Sequence, residues 1–457
     1  MKILILGAGQ VGSTVAESLV GEANDITIID SDGEKLRLLQ DRLDLRTVVG
    51  NAAHPSTLEQ AGIKDADMLL AVTQSDEVNL VACKLAASLY NTPTRIARIR
   101  AADYLNREDI FNADNFCVDF SICPEQILTE YIVKLIEFPE ALQVQKFSQG
   151  KASLAAVRAF SGGPLVGQPL SFLRTDMPQI EARVAAIFRQ DRPIIPEGST
   201  VIEDGDEVFF IAATENIRSV LKEMRRMDKP VKRVAIVGGG NIGLRLAKAI
   251  ENDYQVKLIE FNKKACERLA SQLAHTLVLN GDGTDEKLMQ QEHIGEVDVF
   301  CALTNDDENN IMSALLAKQA GARKVIALIN RGAYVDLLQG GKIDIALSPA
   351  QITIGSLLAY VRQGDVAAVH SLRRGAAEAL EVIAHGDRES SQVVGRRIED
   401  IDLPKGATIG AVVRNHEVVI AHHDTAIEAE DHVIVFVVDK KMLKKVEKLF
   451  QVKLGFF

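Results

Sequence analysis

Three glycines and one acid near the N-terminus have the types and spacing to hold a phosphorylated nucleotide. In MKILILGAGQVGSTVAESLVGEANDITIID, Gly7, Gly9 and Gly12 form G-x-G-x-x-G, with Ala8, Gln10 and Val11 between them. Gly7 permits a tight turn, Gly9 lets backbone approach a pyrophosphate, and Gly12 lets a helix pack closely on the preceding strand. The N-terminus of that helix offers free N–H groups and a positive dipole end to phosphate. Asp30 can accept hydrogen bonds from both adenosine ribose hydroxyls and would repel a 2′-phosphate, so the pattern favours NAD(H) over NADP(H). The unit is stated twice. VAIVGGGNIGLRLAKAIENDYQVKLIE carries Gly238, Gly240 and Gly243, with Gly239, Asn241 and Ile242 between them, and closes on Glu260. The first glycines are 238 − 7 = 231 positions apart in a chain of 457 residues, about half its length. For either copy the alternative is a unit of this shape that has lost its ligand.

The elements around these residues must form a sheet. Ile3 to Leu6 and Ile26 to Ile29 are apolar runs of strand length, and Val11, Val15, Ala16 and Leu19 follow at helical spacing. Beyond Asp30 the pattern predicts a helix over 34–43, a strand over 46–49 ending at Gly50-Asn51, and a short helix around 58–61. It then predicts a strand over 68–72 followed by Thr73-Gln74, a helix over 78–89 and a strand over 94–99 that contains Arg98. Alternating strand and helix with short loops implies a parallel sheet wound on both faces. Ligands of such sheets sit at the carboxyl ends of the strands. Asp30, Asn51, Thr73, Gln74 and Arg98 all fall there. Asn51 and Thr73 could hydrogen-bond ribose or base, and Arg98 could pair with phosphate. Loop capping or a surface ion pair is the alternative for each.

A helix beginning at Pro124 carries the stripe Ile127, Leu128, Tyr131, Ile132 and Leu135; it either packs on its own domain or links or dimerises domains. Strands over 152–160, 182–188 and 207–212 follow, separated by turns at Gly162-Gly163-Pro164, Gln190 to Pro193 and Asp204-Gly205-Asp206, with a helix over 217–227. Asp228-Lys229-Pro230 is a linker. The second half repeats the plan. ALTNDDENNI answers AVTQSDEVNL, Gly281-Asp282 stands where Gly50-Asn51 stood, and Leu328 replaces Arg98. SPAQITIGSLLAYV answers the Pro124 helix, Val394-Gly395 echoes Val166-Gly167, and EAEDHVIVFV echoes EDGDEVFFIA. The expected fold is α/β: two tandem Rossmann-like, doubly wound parallel-sheet domains, each followed by a small β-rich α+β domain. The expected segments are 1–123, a linking helix 124–138, 139–228, 232–348, a second linking helix 349–366, and 367–457.

Composition excludes several classes of function. The net charge of −11 opposes a dedicated nucleic-acid binder and direct docking to anionic lipid. No apolar run reaches the roughly 18 to 20 residues that span a bilayer, and the N-terminal apolar run is a strand rather than a signal peptide. Five cysteines, odd in number and set among apolar neighbours, suit reduced core thiols of a cytosolic protein. His422-His423 has no matching cysteine for a metal. A dehydrogenase would need an acid, a base or a metal beside the nicotinamide. No G-x-S-x-G, H-E-x-x-H, Tyr-x-x-x-Lys or Walker A lysine is present, and His54, just before Pro55, suits a helix entry. Two cofactor clefts without adjacent chemistry point to sensing. An NAD-dependent oxidoreductase is the first alternative, and a redox-sensing DNA regulator the second.

The motifs GAGQVG with Asp30, AVTQSDEVN, IARIR and SICPE, then VGGGNIG with Glu260, GDGT and ALTNDDENN, together resemble tandem RCK domains. The chain is similar over its whole length to the peripheral regulatory subunits of bacterial Trk potassium-uptake systems. The resemblance implies a cytoplasmic protein on the inner face of the membrane, docked on an integral potassium-translocating subunit, and assembled as a homotetrameric ring. It implies binding of NAD(H) and, in some members, ATP or ADP. The implied contacts are residues 7 to 11, Asp30, Asn51, Thr73, Gln74 and Arg98 in the first half, and residues 238 to 242 and Glu260 in the second. Leu328 at the place of Arg98 removes a charge that pairs with phosphate.

Overall fold

The computed structural model describes residues 1–20, 24–173, 181–190, 192–224, 230–338, 342–361, 366–373 and 376–452. The chain forms two compact units. One comprises Met1–Thr129 with Ile329–Val335 and Leu347–Ile354, and the other Glu130–Leu328, Asp336–Ala346 and Gly355–Phe457.

The first unit is built on six parallel strands: β1 (Lys2–Leu6), β2 (Asp25–Asp30), β3 (Arg46–Val49), β4 (Met68–Ala71), β5 (Thr94–Arg98) and β6 (Phe120–Ile122). Their order is β3-β2-β1-β4-β5-β6. Helices cover both faces, so Ile3 to Leu6 and Met68 to Ala71 are continuous apolar runs with no alternation. Ile3 pairs Ile26 on one side and Met68 on the other. The order reverses at β1, where a crevice opens beyond the strands' carboxyl ends. Two helix boundaries differ from the sequence pattern because side chains set them. The helix after β2 runs Gly33–Gln40, since Asp32 accepts from the Glu34 and Lys35 amides. The helix after β4 starts at Asp76, two residues before the expected apolar start, because Ser75 caps it through the Val78 amide.

In the second unit the parallel plan recurs as β12 (Arg233–Val237), β13 (Gln255–Glu260), β14 (Leu277–Asn280), β15 (Val299–Ala302), β16 (Lys324–Leu328) and β17 (Ile345–Leu347), ordered β14-β13-β12-β15-β16-β17. Two antiparallel sheets join it. The first holds β7 (Ala141–Phe147), β8 (Ala152–Arg158), β9 (Ala182–Arg189), β10 (Arg192–Ile194) and β11 (Glu207–Ala213). The second holds β18 (Val366–Leu372), β19 (Ala377–Ala384), β20 (Ala407–Arg414), β21 (Glu417–Ile420) and β22 (Asp431–Val437). Each repeats one device: Arg189 forks onto buried Asp206 with both contacts at 2.9 Å, and Arg414 onto buried Asp431 with both at 2.8 Å.

The inner strands β8 and β11 bury both faces, against different partners. Along β11, Val208, Phe210 and Ala212 face the helix Ile217–Met224, which contributes Ile217, Val220 and Leu221 to that core. Phe209 and Ile211 face the other way, into a core shared with Ala379, Ala411, Ile434 and Phe436 of the second sheet. The two small β-rich domains therefore pack face to face, a contact the sequence pattern did not announce. Rings of Phe209 and Phe436 lie 5.6 Å apart at that seam. The expected helix over 217–227 runs Ile217–Met224. Its last three residues, with Asp191, Asp228 and Lys229, lie outside the described residues.

The Pro124 helix spans Pro124–Glu137. Its last carbonyls are held by a buried lysine from β16: Lys324 Nζ donates to the carbonyls of Leu135, Pro139 and Ala141 at 3.2, 3.0 and 2.9 Å. A cation at a helix C-terminus is favoured by the dipole and satisfies carbonyls with no partner inside the helix. All five cysteines are free and buried. Among the described residues no helix is long and apolar enough to cross a membrane, and no three metal-ligating side chains cluster.

Candidate nucleotide-binding clefts

The glycine turn after β1 is dictated by close approaches. Gly7 has φ +103°, and a Cβ there would meet Thr73 backbone at 3.1 Å. A Cβ on Gly12 would sit 1.9 Å from the Gly7 carbonyl oxygen, so only glycine allows this helix to start against the turn. Around Gly9 there is open space, as the backbone that approaches a pyrophosphate requires. Ala8 and Val11 are buried and fix the turn from below, while Gln10 is exposed and donates through Nε2 to the Asn330 carbonyl at 3.2 Å.

Asp30 ties the turn to the sheet. Its Oδ2 accepts from the Ala8 amide at 2.6 Å and its Oδ1 from the Asp32 amide at 2.9 Å. Each carboxylate oxygen keeps further acceptor capacity, so the anchored acid can still receive ribose hydroxyls. Gly50 N donates to the Asp30 carbonyl, which sets Asn51 beside the end of β2; the Asn51 side chain accepts from the Ala53 amide at 2.9 Å.

Thr73 and Arg98 are joined by a residue that the sequence reading did not single out. Asn79 is fully buried. Its Oδ1 accepts from the Thr73 amide and hydroxyl at 3.0 and 2.7 Å, and its Nδ2 donates to the Arg98 carbonyl at 2.8 Å. The Gln74 carbonyl accepts from Arg100, and the Gln74 side chain is exposed. Arg98 Nη2 reaches Glu125 Oε1 at 3.4 Å, while its buried Nε has no hydrogen-bond partner. An unmatched guanidinium donor at the carboxyl edge, beside an open glycine turn, fits a phosphorylated ligand.

The second cleft repeats the frame. Gly238 has φ +101°, with Thr304 N 2.9 Å from its absent Cβ; Gly243 would place a Cβ 1.9 Å from the Gly238 carbonyl; and Gly240 is open. Gly239 has no room for a side chain, since Leu269 Cδ1 lies 2.2 Å from its Cβ position. Asn241 and Ile242 begin the helix Asn241–Ile250. Glu260 takes the anchoring role of Asp30, accepting from the Gly239 and Asn262 amides, both at 2.8 Å. Asn310 repeats Asn79, accepting from the Thr304 amide and hydroxyl at 2.9 and 2.7 Å and donating to the Leu328 carbonyl at 2.8 Å. Asp282 accepts from both the amide and the hydroxyl of Thr284 at 2.8 Å, so it caps its own loop. Leu328 is buried and brings no charge. The signal for the two asparagines was the identical offset within AVTQSDEVNL and ALTNDDENNI.

Two Rossmann-type sheets, each with a glycine turn anchored by a terminal acid and each followed by an antiparallel sheet, define a tandem nucleotide-fold protein. The TrkA-N domain family matches residues 3–119 and 234–349, and the TrkA-C domain family matches residues 154–225 and 388–451. The chain is 59% identical over 457 residues to the Trk system potassium uptake protein TrkA of Halomonas elongata, covering 100% of both chains. It is 58% identical to that of Vibrio alginolyticus over 99% of both, and 51% identical to that of Haemophilus influenzae over 99% of both. Among solved structures, the crystal structure of the GsuK RCK domain matches with TM-score 0.62 at 16% identity, over 98% of this chain and 94% of that one. The GsuK channel bound to NAD matches with TM-score 0.61 at 17% identity, over 98% and 78%. At such identity the likeness is one of fold. The chain belongs to the TrkA family of Trk system potassium uptake proteins.

Proposed function

We propose that the chain is the nucleotide-binding regulatory subunit of a potassium-uptake system and works without turning its nucleotide over. The observation that carries this reading is the 59% identity, end to end, with a Trk system potassium uptake protein. The clefts supply the means. NAD(H) lies with its pyrophosphate at the open backbone of Gly9 and its adenosine ribose on Asp30. Asn51, Thr73, Gln74 and Arg98 line the carboxyl edge, and ATP or ADP can use the same adenosine contacts. Residues 238 to 243, Glu260 and Asp282 do the same in the second half. The segments 1–123 and 232–348 hold nucleotide, 124–138 and 349–366 link, and 139–228 and 367–457 form the paired small domains. The protein sits on the cytoplasmic face of the membrane as a homotetrameric ring against an integral TrkH-type potassium-translocating subunit. Nucleotide shifts gating only by its differential affinity for two arrangements of the ring. A swing from 1:99 to 99:1 needs about 5.5 kcal/mol of differential binding, which several clefts can share.

The test is co-purification with the membrane subunit followed by potassium flux as NAD+, NADH, ADP and ATP are titrated separately. Nucleotide-dependent flux at constant NADH absorbance supports the reading. Flux indifferent to every nucleotide, or steady oxidation of NADH, overturns it.

A further inference from the structure

The two clefts share a frame but differ at the strand end that follows the anchoring acid. After Asp30 the first reads Ser31-Asp32-Gly33-Glu34; after Glu260 the second reads Phe261-Asn262-Lys263-Lys264. Phe261 is 78% exposed, the largest exposure among the described large apolar residues. Its backbone, by contrast, is clamped. Asn280 Nδ2 donates to the carbonyls of Glu260 and Phe261 at 3.0 and 2.9 Å, and Glu260 Oε1 accepts from the Asn262 amide at 2.8 Å. At the place of Asn280 the first half has Val49, which makes no such clamp. The charge at this rim is also reversed. Glu34 in the first turn of its helix suits the dipole, whereas Lys263 and Lys264 in the first turn of theirs oppose it. That arrangement is disfavoured in the free protein and is compensated by a polyanion.

Resting on the nucleotide reading above, we propose that Phe261 is the base platform of the second cleft, which thereby selects its ligand through the adenosine half. The acid of a glycine-turn site receives the adenosine ribose, so the residue after it adjoins the purine. An aromatic on a fixed backbone with a free face stacks a base. The second cleft has lost Arg98's charge from the edge at β16, where Leu328 stands, and has gained Lys263 and Lys264 on the adenosine side. It therefore takes adenine nucleotides in which the adenosine end provides most of the contact, such as ADP, while the first cleft also grips through Arg98.

The test is calorimetric titration of the purified full-length chain with ADP, for wild type, Phe261→Ala and Phe261→Tyr, with assembly size measured alongside. Phe261→Ala is expected to weaken ADP binding at one class of sites about tenfold at unchanged assembly size, and Phe261→Tyr to restore it. Unchanged ADP affinity in Phe261→Ala overturns the platform. So does a loss accompanied by a smaller assembly, which assigns the ring to a contact between copies. A wild-type chain that binds neither ADP nor NAD defeats the nucleotide reading itself, a result separate from either.

Discussion

Arg98 and Glu125 form an ion pair at 3.4 Å in the first half, and neither has a charged counterpart in the second. Leu328 and Ala350 stand at the corresponding positions, both buried. The two charges have been exchanged for apolar residues as a pair. A buried charge left without its partner costs more than the pair contributes, so losing one partner alone is penalised and losing both is tolerated. The pair is partly buried, so Arg98→Leu is expected to lower unfolding free energy by about 1–2 kcal/mol, and Arg98→Leu with Glu125→Ala to recover most of it. Urea melts measure both. First-cleft nucleotide affinity should fall about tenfold in each variant, because hydrogen bonds to charged groups are worth roughly 1.5–3 kcal/mol. A double variant that binds like wild type removes Arg98 from the ligand.

Asn79 and Asn310 bind the threonine turn to the neighbouring strand in the two halves by the same bonds. Replacing either by alanine leaves a buried amide and a strand-end carbonyl unpaired. Asn79→Ala and Asn310→Ala should each cost about 2–3 kcal/mol by chemical denaturation. Each should also weaken nucleotide in its own cleft, since Gly7 and Gly238 pack on the turns so held. Loss of stability without any change in binding would confine both residues to the scaffold.

Much of this fold was legible in the sequence because its constraints are local. Gly7, Gly12 and Asp30 act within one strand–turn–helix unit, and their spacing identifies it before any contact is known. The duplication doubled that signal. What escaped were partners far apart in the chain. Arg98 was expected to meet phosphate; its pairing with Glu125 depends on how β5 and the Pro124 helix meet. Lys324, on an otherwise apolar strand, gave no sign that it would close the end of a helix from the first half. The small domains were hardest. In ASLAAVR both faces are apolar, so no alternation shows that Ala155 and Val157 face one core and Leu154 and Ala156 another.

The seam between the two antiparallel sheets carries its own electrostatic fastening. Arg373 Nε donates to Glu207 Oε2 at 2.7 Å, its guanidinium lies 4.3 Å from the centre of the Phe188 ring, and Arg158 reaches the other Glu207 oxygen at 3.2 Å. Arg373→Met keeps the apolar stem and loses the charge. It should destabilise the chain by about 2–3 kcal/mol, less than a fully orphaned carboxylate because Arg158 still pairs with Glu207. The melt should be compared with Phe209→Ala, which leaves a cavity at the same seam and should cost about 3–5 kcal/mol. If Arg373→Met is neutral, this ion pair does not help hold the two sheets together.

His370 makes that seam sensitive to acid. Burial between the sheets holds its imidazole down, to about 4, and Lys134 pushes the same way; the Lys146 carbonyl and Glu381 pull upward without offsetting them. The ring stands edge-on to Phe147 at 4.8 Å, and its Nε2 lies 3.2 Å from the Lys146 carbonyl. In the unfolded chain a histidine titrates near 6.5. Between about 6.5 and 4 the unfolded state therefore binds the extra proton and the folded state does not. This contribution to stability is complete above 6.5 and shrinks as pH falls through that window. For a partly buried ring the loss at pH 5 is about 1 kcal/mol. His370→Gln keeps a donor for the Lys146 carbonyl and removes the titration. Its melting temperature should change less between pH 7.5 and pH 5 than that of wild type. An equal change in both would place the acid sensitivity elsewhere.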